Sequence, residues 1–80
     1  MDKLRAIQLF VRLADLGSFT RVAEQTNTSK SMISKEISRL EDSLGARLLH
    51  RSTRSVQLTD VGEGYLQRAR EILEKLDDAE

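Results

Sequence analysis

The chain has 80 residues, and its 13 Lys and Arg residues balance 13 Asp and Glu residues, so the formal net charge at pH 7 is zero. The absence of cysteine excludes a disulfide framework and a thiolate metal site, and it is compatible with a reducing cytoplasm. No apolar run reaches signal-peptide length or the roughly 20 residues that span a bilayer, so we expect a cytoplasmic protein with no membrane partner. Because proline is absent and Leu, Arg, Glu, Lys and Ala are plentiful, we predict a mainly all-α fold.

The zero net charge hides a segregation along the chain. Residues 21–58 contain seven cations and four acids, whereas residues 59–80 contain three cations and seven acids. A basic middle followed by an acidic end is expected when the middle meets phosphate and the end points away from it.

The first helix is predicted from about Asp2 to Leu16. Gly17 follows its last apolar residue, which is a common way for a helix to end. The apolar residues of this segment recur at helical spacing and predict a core helix: Leu4, Ile7, Phe10, Val11, Leu13 and Ala14.

Residues 18–44 predict two helices joined by a tight turn. Ser18 can cap the first of them, because its hydroxyl can accept from the free amides of the opening turn. Asn27 and Thr28 form the turn, since asparagine tolerates a left-handed backbone. Four residues of this first motif helix recur on one face, which we expect to be buried: Phe19, Val22, Ala23 and Thr26.

The second motif helix is predicted to begin near Ser29 and to end at Gly45. One face is apolar and is expected to pack inward along its whole length: Ile33, Ile37, Leu40 and Leu44. The other face begins with hydroxyl side chains and two cations, which we name the polar rim: Ser29, Lys30, Ser31, Ser34 and Lys35, with Met32 between them. The N-terminal part of the second helix of a helix-turn-helix enters the major groove, so the rim is the predicted DNA-reading edge.

From Ala46 to Leu58 the helical spacing is lost. Two short extended segments, 48–50 and 56–58, flank the polar loop 51–55 and predict a small hairpin. Three helices and a two-stranded β wing make a winged helix-turn-helix, which we place in residues 1–58.

Residues 59–80 predict a long linker helix that starts after Thr59 as its N-cap. Its apolar residues follow the four-three spacing of a heptad repeat: Gly62, Leu66, Ala69, Leu73 and Leu76. A parallel row holds Tyr65, Ile72 and Ala79. We expect the N-terminal part to lie on the domain's own core and the part around Leu73 and Leu76 to pair with a second copy, which gives Leu66, Ala69, Leu73 and Leu76 as dimerisation candidates. The alternative is a simple amphipathic closing helix, because short heptad runs occur by chance.

An ordered set of residues along nearly the whole chain resembles the N-terminal domain of LysR-type transcriptional regulators: Gly17-Ser18-Phe19-Thr20, Ala23, Ser29, Ile33-Ser34-Lys35, Ile37, Leu40-Glu41, Leu44-Gly45, Leu48-Leu49, Arg51, Arg54, Leu58-Thr59 and Gly62. The resemblance implies a winged helix-turn-helix joined by a linker helix to a C-terminal effector-binding domain. It also implies a homodimer through the linker helix, a tetramer of the full-length protein, and a small-molecule effector bound only by the domain absent here. We therefore expect this chain to be a fragment.

Several residues depart from the pattern of that family: Thr26, Thr28, Lys30, Ser31, Met32 and Leu49. Because positions 30–32 fall on the reading edge, a base preference cannot be carried over from relatives.

The rim residues are the candidates for base contacts. Lys35 is the first candidate, because a lysine on the second turn can reach the O6 and N7 acceptors of guanine. Its alternative is a phosphate contact or a solvated lysine. Ser31 and Ser34 can donate to a base edge or a phosphate, and Lys30 near the helix start suggests an external anion. Met32 could press a thymine methyl group, although methionine is more often core filler.

A second set is expected to contact the DNA backbone: Ser18, Thr20, Arg21, Ser29, Arg51 and Arg54. Arg54 at the wing tip is predicted to enter the minor groove, where the negative potential favours a guanidinium. Arg51 is expected to hold phosphate or brace the wing. Arg39, near Glu36 and Glu41, is expected in surface ion pairs.

The other function classes have weaker support. His50 is the only histidine and has no cysteine, carboxylate pair or activated nucleophile around it, so we expect no enzyme, no metal and no other cofactor. The alternative to a double-stranded DNA partner is a protein-interaction module in which the heptad helix is the active surface. The basic loop and the polar rim argue against that alternative.

Overall fold

The computed structural model describes residues 2–50 and 55–80. It contains four helices in chain order: α1 (Lys3–Leu16), α2 (Phe19–Thr26), α3 (Lys30–Leu44) and α4 (Asp60–Ala79). These bounds match the predicted helices to within one residue, and α2 and α3 form the predicted helix-turn-helix. Among the described residues, no helix is both long enough and apolar enough to cross a membrane.

Each helix begins at a side-chain cap that the sequence can specify locally. Ser18, Ser29 and Thr59 each accept a hydrogen bond from a backbone N–H in the turn that follows, as does Asp2 for α1. The first three helices end in a left-handed residue, with φ of 67° at Gly17, 53° at Asn27 and 69° at Gly45. Local capping therefore fixes where the helices start and stop.

The core is built around α1, which packs against each of the other three helices. Its fully buried side chains Phe10 and Leu13 meet Val22 of α2 and a row on α3 in one cluster. The other fully buried large side chains of that cluster are Ile33, Ile37, Leu40 and Leu48. Phe10 also contacts Tyr65 of α4, with ring centroids 5.8 Å apart.

The connection from α3 to α4 is irregular rather than a regular hairpin in the residues described. One antiparallel bridge joins Leu49 and Leu58. It is flanked by bonds from His50 N–H to the Gln57 carbonyl at 2.9 Å and from Thr59 N–H to the Leu48 carbonyl at 3.0 Å. The predicted segments 48–50 and 56–58 are thus paired at their base, but the two-stranded β wing itself is not shown.

Helix α4 packs on α1 and the core through residues of its heptad row. Gly62 and Ala69 are buried, and Leu66 and Leu73 pack half-buried against the core. Arg70 of α4 and Asp15 of α1 form an exposed ion pair at 2.6 Å. The assignment of Ala69 to a dimer surface is wrong, because its side chain is inaccessible within a single copy.

Candidate nucleic-acid interface

The turn between α2 and α3 is held by two threonine hydroxyls. Thr26 Oγ1 donates to the Val22 carbonyl at 2.7 Å, and Thr28 Oγ1 donates to the Thr26 carbonyl at 3.0 Å. The Thr28 N–H donates to the Ala23 carbonyl at 3.0 Å. These hydroxyls are half-buried but hydrogen-bonded, so threonine at these positions does not leave an unsatisfied polar group near the core.

Helix α3 is anchored from behind the polar rim. Ile33 and Ile37 are fully buried, whereas Lys30, Ser31 and Lys35 are exposed. Side chains on one face of a helix point in the same direction. Burial of Ile33 and Ile37 therefore leaves the rim on the side of α3 that faces solvent. The predicted orientation of the rim is confirmed.

The serines of the rim differ in their hydrogen bonds. Ser29 Oγ accepts from the Met32 N–H at 3.1 Å and lies 3.3 Å from Ser31 Oγ. The Ser29 hydroxyl therefore caps α3 and fixes the residue at which this helix begins. Ser31 is exposed and Ser34 is half-buried.

Met32 lies on the surface, with 44% of its area exposed. Filling the core was the alternative for this side chain, and its exposure excludes that alternative. Met32 is therefore an exposed apolar side chain within the polar rim.

The start of α2 lies near the start of α3. Ser18 Oγ accepts from the Arg21 N–H at 3.2 Å, and Thr20 and Arg21 are exposed. Thr20 and Lys30 line the same surface cleft, together with Glu24 and residues 27–29. The structure thus brings the predicted backbone-contacting residue Thr20 next to the rim, while Arg51 and Arg54 lie outside the described residues.

Sequence reasoning missed the role of Glu41, a residue of α3 that is 2% exposed. Its Oε2 accepts from the N–H groups of Leu48 at 2.7 Å and Leu49 at 3.2 Å, and its Oε1 lies 3.4 Å from Arg47 Nη1. Glu41 therefore ties the end of α3 to the base of the hairpin region. Its position four residues after Ile37, on the inward face, was the available signal.

Two further expectations about α3 are corrected. The expected ion pair of Arg39 is present, because its Nη1 lies 3.7 Å from Glu36 Oε1. Its acid is not on the surface, however, since Glu36 is only 8% exposed and Glu41 only 2%. Leu44, expected on the buried face, is 39% exposed because α3 ends there and the chain turns away at Gly45.

The described residues also bear on the expectations for a metal site and for His50. Residues 2–50 and 55–80 hold no group of three or more His, Asp or Glu side chains placed to share a metal ion. His50 is exposed. Burial raises the pKa of the Tyr65 hydroxyl above its usual value of 10.0, but this side chain packs on the core side of α4.

A family model described as bacterial regulatory helix-turn-helix protein, lysR family, matches residues 4–63. The chain belongs to the lysR family. This is a family of transcriptional regulators and not a class of enzymes. The match ends within the first turn of α4, so it covers the helix-turn-helix and the connection that follows.

Curated relatives of this lysR-family chain include regulators named for opposite effects. An HTH-type transcriptional repressor of Pseudomonas aeruginosa (strain UCBPP-PA14) is 42% identical over 80 residues, which is 100% of this chain and 25% of the relative. The HTH-type transcriptional activator AaeR of Escherichia coli (strain K12) is 42% identical over 78 residues, or 98% of this chain and 25% of AaeR. The chain spans about a quarter of the length of these relatives.

Solved structures of lysR-family proteins share the fold. The BenM DBD in complex with catB site 1 DNA superposes with a TM-score of 0.92 at 33% identity, covering 99% of this chain and 84% of that one. Full-length OxyR C199D from Pseudomonas aeruginosa gives a TM-score of 0.88 at 36% identity, covering 95% of this chain and 26% of that one. The first of these structures is a complex with DNA.

Proposed function

We propose that this chain binds double-stranded DNA sequence-specifically, with the polar rim of α3 in the major groove. The observation that carries the proposal is the orientation of α3: Ile33 and Ile37 are fully buried behind a rim whose lysines are exposed. Ser31, Ser34 and Lys35 read base edges, Met32 presses a thymine methyl group, and Lys30 meets the backbone or a base at the groove edge.

The residues that surround the rim hold the DNA backbone. Thr20 at the start of α2 lines the cleft that Lys30 also lines, and Ser18 and Arg21 are its neighbours in the chain. Ser29 contributes its position at the start of α3. The wing residues Arg51 and Arg54 complete this set from the sequence, with Arg54 in the adjacent minor groove. Glu41 supports this part of the proposal because it fixes the chain that leads toward the wing.

Two copies act together in this proposal. Residues 1–58 read DNA, and residues 59–80 pair the copies. Ile72 is 44% exposed and Leu76 is 37% exposed on α4. These two residues form the centre of the pairing surface, which we name the exposed α4 row, and Leu66 and Leu73 lie at its edge. A small-molecule effector acts only through a domain outside this chain, and the full-length protein is a tetramer.

Selection from a random DNA pool tests the proposal. The purified chain is expected to enrich a partly symmetric sequence with two half-sites, and to bind random duplex more weakly with a steep dependence on salt. Enrichment of no sequence, together with no binding to random duplex at low salt, would refute DNA binding and favour the protein-interaction module. Strong binding with no enriched sequence would refute only the sequence specificity.

A further inference from the structure

Arg5, in the first turn of α1, lies beside the turn that precedes α3. Its Nη2 donates to Thr28 Oγ1 at 3.4 Å across 23 positions of sequence. Thr28 directly precedes Ser29, the N-cap of α3. The start of α1 therefore reaches the edge of the polar rim, a proximity that the sequence pattern did not predict.

The hydroxyl of Thr28 is arranged to accept this donor. Its single proton is used in the bond to the Thr26 carbonyl at 3.0 Å, so it meets Arg5 with a lone pair. The backbone of Thr28 is fixed by its bond to the Ala23 carbonyl. Thr28 is thus a fixed acceptor that holds the Arg5 guanidinium beside the turn that precedes the rim.

The guanidinium of Arg5 carries a charge that no described carboxylate offsets within ion-pair distance. Arg39, Arg47 and Arg70 each lie against an acid instead. The neighbouring Asp2 carboxylate accepts from the backbone N–H of Arg5 at 3.1 Å, where it caps α1. Since a guanidinium has five N–H donors and Thr28 engages one nitrogen, the exposed side chain keeps donors for an acceptor outside the protein.

We propose that Arg5 binds a phosphate of the DNA backbone beside the groove that the rim occupies, with Thr28 as its positioning residue. This inference rests on the proposed function, since it adds a contact to the same complex. A planar guanidinium matches two phosphate oxygens at once. Such a contact fixes the register of α3 on DNA without reading sequence.

The test measures the affinity of the 80-residue chain for its selected sequence and for random duplex over a range of salt. Arg5→Gln is expected to weaken binding to both duplexes by about tenfold at low salt. It should also reduce the slope of log affinity against log salt by about 0.9, the value for one phosphate. Arg5→Lys should keep the slope but lose part of the affinity, because lysine cannot bind phosphate bidentately.

Lys75→Gln is the matched control, because Lys75 is exposed near the end of α4 and its loss changes the net charge equally. Its affinity and slope should equal those of the unmodified chain. Thr28→Val replaces the hydroxyl with a methyl group of the same shape. It should weaken binding more in the unmodified chain than in the Arg5→Gln background, as expected of a residue that acts partly through Arg5. Loss of its bond to the Thr26 carbonyl should affect both backgrounds alike.

The outcomes separate this inference from the proposed function. An unmodified chain that binds and an Arg5→Gln chain with the same slope would show that Arg5 only braces the turn, which overturns the inference. An unmodified chain that binds neither duplex overturns the proposed function itself. Circular dichroism checks folding, and the slope and affinity of Arg5→Lys provide a second test if Arg5→Gln is not folded.

Discussion

The Glu41 carboxylate accepts a hydrogen bond from the Leu48 backbone N–H at 2.7 Å, with both residues buried. The same carboxylate accepts from the Leu49 N–H. It therefore satisfies two backbone donors that a neighbouring β-strand would otherwise satisfy. A buried charge is stable only when its oxygens are hydrogen-bonded, so the two backbone donors and Arg47 together make this position tolerable.

Glu41→Ala is expected to lower the free energy of unfolding by about 3 kcal/mol, because two buried N–H groups lose their acceptor. Glu41→Gln keeps one acceptor oxygen and should cost about 1 to 2 kcal/mol. Urea denaturation measures both. Glu71→Gln on the exposed side of α4 is the control and should change stability little. Equal stability of Glu41→Ala and the control would contradict the role of this carboxylate.

Two glycines of α4 give opposite predictions for the same substitution. A Cβ on Gly62 would lie 2.1 Å from the Leu48 carbonyl oxygen, whereas a Cβ on Gly64 meets nothing within 4 Å. Gly64→Ala should stabilise the chain by up to about 1 kcal/mol through helix propensity. Gly62→Ala should destabilise it by about 1 to 3 kcal/mol, because the helix must move away from Leu48. The unfolding temperatures of the two variants test both predictions. A stabilising Gly62→Ala would show that Gly62 does not lie close to the Leu48 carbonyl.

Lys35→Ala is expected to cost roughly 1 to 3 kcal/mol of binding free energy and to relax discrimination at one base pair. The measurement compares affinities for the selected sequence and for single-base-pair variants of it. Lys75→Ala, far along α4, should leave both quantities unchanged. Weakening by the same factor on every duplex would reassign Lys35 to a phosphate.

Substitutions at Ile72 and Leu76 should weaken the pairing of two copies without unfolding the single copy. Ile72→Lys with Leu76→Lys is expected to raise the dissociation constant of the dimer more than about tenfold, because charges would be buried between the two helices. Sedimentation velocity over a range of concentrations measures this. The stability of the single copy should change little, since both side chains are partly exposed. An unchanged dimer would place the pairing surface elsewhere.

Tyr65 makes the free energy of unfolding depend on pH in the alkaline range. Because burial raises the pKa of its hydroxyl in the folded chain above 10.0, the folded state holds the proton more tightly than the unfolded state. The contribution of Tyr65 is therefore fully present below pH 10 and is lost as the pH rises through the folded-state pKa. Tyr65→Phe should reduce the loss of stability above pH 10, measured by urea denaturation at several pH values. The same loss in both chains would contradict this.

Helix ends were predictable because their signals are local. Ser18, Ser29 and Thr59 act within one turn of themselves, and Asn27 adopts the left-handed backbone that its side chain tolerates. The errors came from packing between distant segments. Ala69 follows a heptad pattern equally well whether α4 faces α1 or a second copy, and only the fold decides between them.

The interior burial of Glu36 and Glu41, and the contact between Arg5 and Thr28, likewise depend on elements brought together from far apart in sequence. Charge counts treat such residues as surface groups. The rim was predictable because a single helix period determines which of its positions face away from Ile33 and Ile37.

Two sides of helix α3 have separate roles. Ile33 and Ile37 pack in the core and stabilise the fold, while positions 30–32 and 34–35 lie toward solvent. Mutation can therefore change the outward side chains, and with them the DNA sequence read under the proposed function, at little cost to thermodynamic stability. If the proposed function holds, this division makes the domain readily evolvable, because new DNA targets can be acquired on an unchanged scaffold.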